Sequence, residues 1–116
     1  MLIRIDSSSS EPLFEQLAAS VRELVSTGAA VAGERLPAAR ELADALEVNV
    51  HTVLHAYQQL RDEGLIELRR GRGAILTGGA ASVADLAKHV DILVVEARRL
   101  GVAPATLTAM ITKAYS

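Results

Sequence analysis

Residues 40–73 read RELADALEVNVHTVLHAYQQLRDEGLIELRRGRG, and the order of elements in this stretch predicts the fold. A short amphipathic helix leads into a turn at residues 47–49, and a second helix is predicted from about Val50 to Glu63. Two short apolar strands around the glycine- and arginine-rich turn 69–73 predict a β-hairpin. This order is that of a winged helix-turn-helix, whose second helix can enter the major groove of B-DNA.

Upstream of this stretch, apolar residues at helical spacing predict another helix from about Pro12 to Thr27. Pro12 suits the first turn of a helix, and the glycine after Thr27 suits its end. Residues 2–5 favour a short strand, residues 7–10 are a polar serine run, and residues 28–37 are expected to be a connection.

Downstream, the small residues 78–81 predict a linker, after which Ser82 is expected to cap a long helix. A last helix is expected to start at Pro104. We therefore predict a mostly α protein with a small β-hairpin. Residues 1–77 are expected to form the winged helix-turn-helix DNA-binding domain, and residues 78–116 a linker and a two-helix C-terminal dimerisation tail.

The long C-terminal helix carries apolar residues at alternating spacings of four and three, which is typical of a helix–helix seam. A chain of 116 residues buries its surface incompletely, so a leftover apolar face favours self-association. The residues predicted to form the dimer contact are Leu86, Val90, Leu93, Val94, Ala97 and Leu100.

Composition excludes several classes of protein. The chain has no cysteine, so disulfides and zinc–thiolate sites are ruled out. No apolar run exceeds four residues, and the N-terminus lacks the pattern of a signal peptide, so we expect a cytoplasmic protein without a membrane partner. The net charge of −2 disfavours non-specific nucleic-acid binding, but three arginines fall within positions 69–72.

An ordered set of motif residues covers roughly positions 10–77. Its members are Pro12-Leu13-Phe14-Glu15-Gln16-Leu17, Gly33-Glu34-Arg35-Leu36-Pro37, Arg40-Glu41-Leu42-Ala43, Val48, Thr52-Val53, Ala56-Tyr57, Leu60, Glu63-Gly64-Leu65-Ile66 and Gly71-Arg72-Gly73. This pattern resembles the DNA-binding domain of the GntR family of bacterial transcription factors. One departure is Ala38, where the family usually has a serine that would cap the next helix.

The resemblance implies a sequence-specific transcriptional regulator, and we expect a repressor. The short tail is similar to that of the YtrA-type subfamily, whose members dimerise through it. A two-fold dimer places two recognition helices about one DNA turn apart, which predicts an inverted-repeat operator in double-stranded DNA. The sequence leaves open whether an effector exists.

Candidate DNA contacts lie on the two central helices and on the wing. Histidine and threonine side chains can donate to phosphates or base edges, and wing arginines can reach phosphates or the minor groove. Asn49 has a second possible role as a helix cap, whereas Phe14 and Tyr57 are expected to be core residues. The predicted contacts are Arg35, Arg40, Asn49, Val50, His51, Thr52, His55, Arg69, Arg70, Gly71 and Arg72.

Two alternative functions are compatible with this fold. His51 and His55 are four residues apart on one helical face, so a metal- or small-ligand-gated sensor is one alternative, although no carboxylate lies between them. A winged helix used only for protein interaction is the other, and the arginine-rich wing argues against it. We expect no cofactor, no metal and no enzymatic activity, because no nucleophile constellation or phosphate-binding loop is recognisable.

Overall fold

The computed structural model describes residues 3–71 and 73–116. Its elements are α1 (Leu13–Ser26), α2 (Ala39–Leu46), α3 (Val50–Asp62), β1 (Ile66–Arg69), β2 (Gly73–Leu76), α4 (Gly78–Leu100) and α5 (Pro104–Ala114). Within these described residues, five helices and one antiparallel hairpin confirm the predicted mostly α fold of the winged helix-turn-helix type. The chain divides into a unit that ends at Asp85 and a second unit, Leu86–Ser116.

The core of the first unit is built from branched aliphatic side chains, as the shortage of aromatic residues predicts. Both α1 and α2 pack against α3, whose Val53, Ala56, Tyr57 and Leu60 are buried on one side. The largest fully buried side chains are Leu17, Leu36, Leu60, Ile66, Leu76, Val21, Val25 and Val53. Because α3 is held along its inner side, its outer side is left for another partner.

The hairpin pairs Ile66 with Leu76 and Arg69 with Gly73, which fixes the tip of the wing. A further short pairing was not predicted. The N–H of Leu36 donates to the carbonyl oxygen of Ala74 at 2.8 Å, and Arg35 bridges to β2. The sequence predicts only a connection for residues 28–37, because Gly33 and Pro37 leave too few residues for an alternating pattern to show.

The expected linker at residues 78–81 is wrong, because α4 already begins at Gly78. Thr77 lies between β2 and α4, and its Oγ1 accepts a hydrogen bond from the N–H of Gly79 at 3.1 Å, so Thr77 caps the helix in place of Ser82. A Cβ added to Gly79 would lie 2.7 Å from the carbonyl oxygen of Gly64. The glycine permits close backbone approach here, and this is the structural reason for a small residue at this position.

The strand expected at residues 2–5 does not form within the described residues 3–5. Ile3 is buried in the core, and the N–H of Arg4 donates to Oγ of Ser20 at 3.1 Å. The N–H of Asp6 donates to Oε1 of Gln16 at 2.6 Å. The segment is therefore held by side chains of α1 and not by a neighbouring strand.

Candidate nucleic-acid interface

The turn between α2 and α3 sets the direction of the candidate recognition helix. Glu47 ends α2 in the left-handed conformation, with φ of 57° and ψ of 45°, as a sharp change of chain direction requires. Oδ1 of Asn49 accepts a hydrogen bond from the N–H of His51 at 2.8 Å, which confirms the capping role considered for Asn49. The start of α3 is thereby fixed by local contacts.

The leading end of α3 is accessible. His51 is exposed, and Val50 and Thr52 are half-buried at the same end. The inner residue Val53 is fully buried in the core. This end of the helix thus presents an imidazole, a hydroxyl and the positive end of the helix dipole to solvent, which suits a polyanion.

His55 lies one turn further along α3 and is also exposed. Its ring stacks on that of Phe14 with centroids 3.9 Å apart and planes inclined by 17°. Phe14 is half-buried and packs against the core, as expected, but the stack itself was not predicted. No sequence signal could have found it, because the two residues belong to helices that meet only in the folded chain.

The wing presents exposed side chains at its tip. Arg69 and Arg70 are exposed, and Gly71 occupies the turn with φ of 78°. The fourth predicted wing residue, Arg72, lies outside the described residues. A missed neighbour is Glu67, whose Oε2 lies 2.7 Å from a terminal nitrogen of Arg69. The two-residue spacing along β1 could have revealed this pair, since alternate strand residues share a face.

Two further predicted arginines lie before and within the first turn of α2, the first helix of the helix-turn-helix. Arg40 is exposed in the first turn of α2. Arg35 is exposed, and it lines one surface groove together with Arg69, Gly71 and the N-cap residue of α2, Ala38. The structure thus brings Arg35 to the wing. Ala38 makes no side-chain cap, as its replacement of serine implies.

The predicted dimer residues lie on the unit Leu86–Ser116. Leu86, Val90, Leu93 and Leu100 are exposed, whereas Val94 is half-buried. Ala97 is only 8% exposed, so its side chain is already covered within its own chain. Further exposed apolar residues of this unit are Ile92, Val95, Met110, Ile111 and Tyr115.

Within residues 3–71 and 73–116, no cluster of three or more potential metal ligands is found. His51 and His55 share a face of α3 without a third ligand in that part of the chain. The same residues contain no helix with the length and apolarity needed to span a membrane.

The family model described as "Bacterial regulatory proteins, gntR family" matches residues 13–76, which include α1, the helix-turn-helix and the wing. The chain belongs to the GntR family. It carries the DNA-binding helix-turn-helix domain of a transcriptional regulator, and its relatives are regulators and not enzymes, as predicted.

Relatives of this GntR protein support the YtrA-type subfamily. The HTH-type transcriptional repressor YtrA of Bacillus subtilis is 42% identical over 79 residues, which are 68% of this chain and 61% of that protein. An HTH-type transcriptional regulator of Mycobacterium tuberculosis is 35% identical over 99 residues, covering 85% of this chain and 82% of the relative. The solved structure of YtrA from Sulfolobus acidocaldarius, a GntR-family transcription factor, is 31% identical with a TM-score of 0.62. That match covers 85% of this chain and 99% of the other.

Proposed function

We propose that this GntR protein is a transcriptional repressor that binds an inverted-repeat operator in double-stranded DNA as a homodimer. The observation that carries the proposal is the joint exposure of His51 at the leading end of α3 and of Arg69 and Arg70 on the wing. A repressor of this kind acts by binding DNA, so we propose that the protein is located in the cytoplasm. Similarity to a protein named as a repressor supports the direction of regulation.

The proposed recognition is divided between α3 and the wing. His51 can donate to guanine N7 or O6 or to a phosphate, and Thr52 can donate to a phosphate. The wing arginines supply charge for the sugar-phosphate backbone or the minor groove. The proposed DNA contacts are Arg35, Arg40, Asn49, Val50, His51, Thr52, His55, Arg69, Arg70, Gly71 and Arg72.

Proposed dimerisation rests on the apolar seam of α4. Leu86 and Leu100 are each more than half exposed, and Leu93 is 41% exposed, although these are large aliphatic side chains. Large contiguous apolar surface on a small chain favours a partner surface of the same kind. Pairing about a two-fold axis would present two copies of α3 to successive major grooves, and this gives the operator its symmetry.

The proposal assigns residues 1–77 to DNA binding and residues 78–116 to dimerisation. The structural division after Asp85 lies within α4, so the helix that carries the seam begins in the first structural unit. No cofactor or metal takes part in this proposal, and an effector is not required for it.

Selection of bound duplexes from a random pool tests the proposal. We expect a two-fold symmetric consensus whose half-sites are about one DNA turn, roughly 10 base pairs, apart. An asymmetric consensus contradicts the homodimer, and no affinity for any duplex at low salt contradicts DNA binding. With the selected operator, Arg70→Ala should weaken binding and reduce the slope of log affinity against log salt by about 0.9. Lys113→Ala removes a positive charge near the end of α5 and serves as the matched control.

A further inference from the structure

The stack of His55 on Phe14 joins the candidate recognition helix to the start of α1. The near-parallel rings, with centroids 3.9 Å apart, are in direct contact. Aromatic pairs at such distances attract each other beyond the area that they bury. The ring of Phe14 therefore covers one of the two faces of the imidazole and restricts the rotation of the His55 side chain.

Phe14 is itself held in place. It is half-buried and packs against the hydrophobic core. Two residues later, Nε2 of Gln16 donates to the carbonyl oxygens of Asp6 at 3.1 Å and of Glu11 at 2.8 Å. The start of α1 is thus tied both to the core and to the preceding segment, so the ring of Phe14 is a fixed support.

His55 has no comparable support of its own. Its side chain is exposed, and within the described part of the chain it makes no side-chain hydrogen bond. An exposed imidazole without a neighbour samples several rotamers, and fixing one of them on binding opposes association. The stack on Phe14 removes part of that freedom before DNA arrives.

We infer that Phe14 is a positioning residue for DNA recognition: its ring holds the imidazole of His55 in the orientation that contacts the operator. The inference rests on the proposed function, because it takes His55 as a DNA contact. The group that His55 meets is a hydrogen-bond acceptor of the duplex, either a phosphate oxygen or a purine base edge. Phe14 acts only through His55.

A double-mutant cycle measured by fluorescence anisotropy on the selected operator tests this role. Phe14→Leu keeps an apolar side chain but removes the ring, and we expect it to weaken binding by about 3- to 10-fold. His55→Ala should weaken binding at least as much. In the His55→Ala background, Phe14→Leu should then change affinity by less than about 2-fold, since the two changes remove one interaction. Phe14→Tyr keeps the ring and should retain wild-type affinity.

Two controls separate positioning from a loss of stability. Leu24→Ala removes a half-buried core contact at the other end of α1 and should lower stability while leaving operator affinity unchanged in the folded protein. The ring protons of His55 should move downfield in the NMR spectrum of Phe14→Leu as the neighbouring ring current is lost. If Phe14→Leu does not fold, Phe14→Met replaces it in the same cycle.

The outcomes separate the two levels of the proposal. Additive losses, or full affinity of Phe14→Leu in a wild-type protein that binds its operator, overturn the positioning role alone. A wild-type protein that binds no duplex overturns the proposed function and the positioning role together. Loss of affinity in Leu24→Ala equal to that in Phe14→Leu assigns Phe14 to general stability and also overturns the inference.

Discussion

The hydroxyl of Tyr57 donates a 2.6 Å hydrogen bond to the carbonyl oxygen of Pro37. The bond joins α3 to the residue that precedes the N-cap of α2, so it restrains the two helices of the helix-turn-helix relative to each other. Burial raises the pKa of the Tyr57 phenol, and the nearby carboxylate of Glu41 raises it further. Both effects keep the hydroxyl protonated and able to donate.

Tyr57→Phe should lower the free energy of unfolding by about 1–2 kcal/mol, because it removes the donor and leaves the Pro37 carbonyl without its partner. The ring still fills its place in the core, so the fold should persist. Urea denaturation followed by circular dichroism measures the change. An unchanged midpoint would mean that water satisfies the carbonyl equally well.

Stability should fall in alkali partly through Tyr57. The pKa of a tyrosine in an unfolded chain is about 10, and in the folded chain burial raises it. Above about pH 10 the unfolded state therefore binds fewer protons than the folded state, and the free energy of unfolding decreases as pH rises. Urea titrations at several pH values from about 9 to 12 should show a shallower decrease for Tyr57→Phe than for the wild type. Equal slopes would contradict this linkage; the exposed Tyr115 is common to both proteins.

Glu47→Gly should stabilise the protein by up to about 1 kcal/mol. Among the described residues, Glu47 is the only residue other than glycine that has a positive φ. This left-handed conformation is strained for a residue with a Cβ. Glu47→Val should destabilise, because a β-branched side chain tolerates this conformation less well. Thermal unfolding of the two variants should give shifts of opposite sign, and a lower midpoint for Glu47→Gly would contradict the expectation.

The helix-turn-helix could be predicted from sequence because its signals are local. The turn at residues 47–49 is read directly from the chain, and Asn49 caps α3 by accepting from a backbone N–H two residues away. The helical spacing of buried residues on α3, such as Val53, Tyr57 and Leu60, depends only on that helix. None of these signals depends on a distant part of the fold.

The sequence was less informative where the role of a residue depends on a neighbour that is distant in the chain but close in the fold. Gly79 suggested a linker, but it is small because the Gly64 carbonyl lies close to it inside the fold. Phe14 packs against the core as expected, but its contact with His55 could not be predicted, because it depends on how α1 lies against α3. The DNA contacts and the dimer seam remain predictions, since they concern partners and not the chain itself.

Glu67→Gln should strengthen operator binding about 2- to 5-fold at low salt, because Arg69 can then contact a phosphate in place of its exposed ion pair with Glu67. Glu67 pairs with Arg69 on the wing and competes with DNA for its guanidinium. The salt dependence of log affinity should steepen by about 0.9 as one more phosphate contact forms. Asp62→Asn is the matched control, because it also removes an exposed carboxylate paired with an arginine, at the end of α3. Equal gains from both variants would point to net charge and not to release of Arg69.

Leu93→Lys should convert the proposed dimer into monomers while leaving the fold intact. Leu93 is 41% exposed in the single chain, so a lysine there can remain solvated, whereas an apolar seam between two copies would desolvate its charge. Sedimentation velocity over a range of concentrations measures the change in mass. Leu93→Lys should reduce affinity far more for a duplex with both half-sites than for a duplex with one, because its two DNA-binding domains are no longer linked.

The neighbouring residue provides the control for this test. Ile92 is 68% exposed, and the helical period places it about 100° around α4 from Leu93, outside the predicted seam. Ile92→Lys makes the same chemical change one position away and should leave the dimer and its operator affinity intact. If Ile92→Lys dissociates the dimer and Leu93→Lys does not, α4 uses the other face and the predicted seam is wrong. If neither changes the mass of a dimeric wild type, the contact lies outside this part of α4.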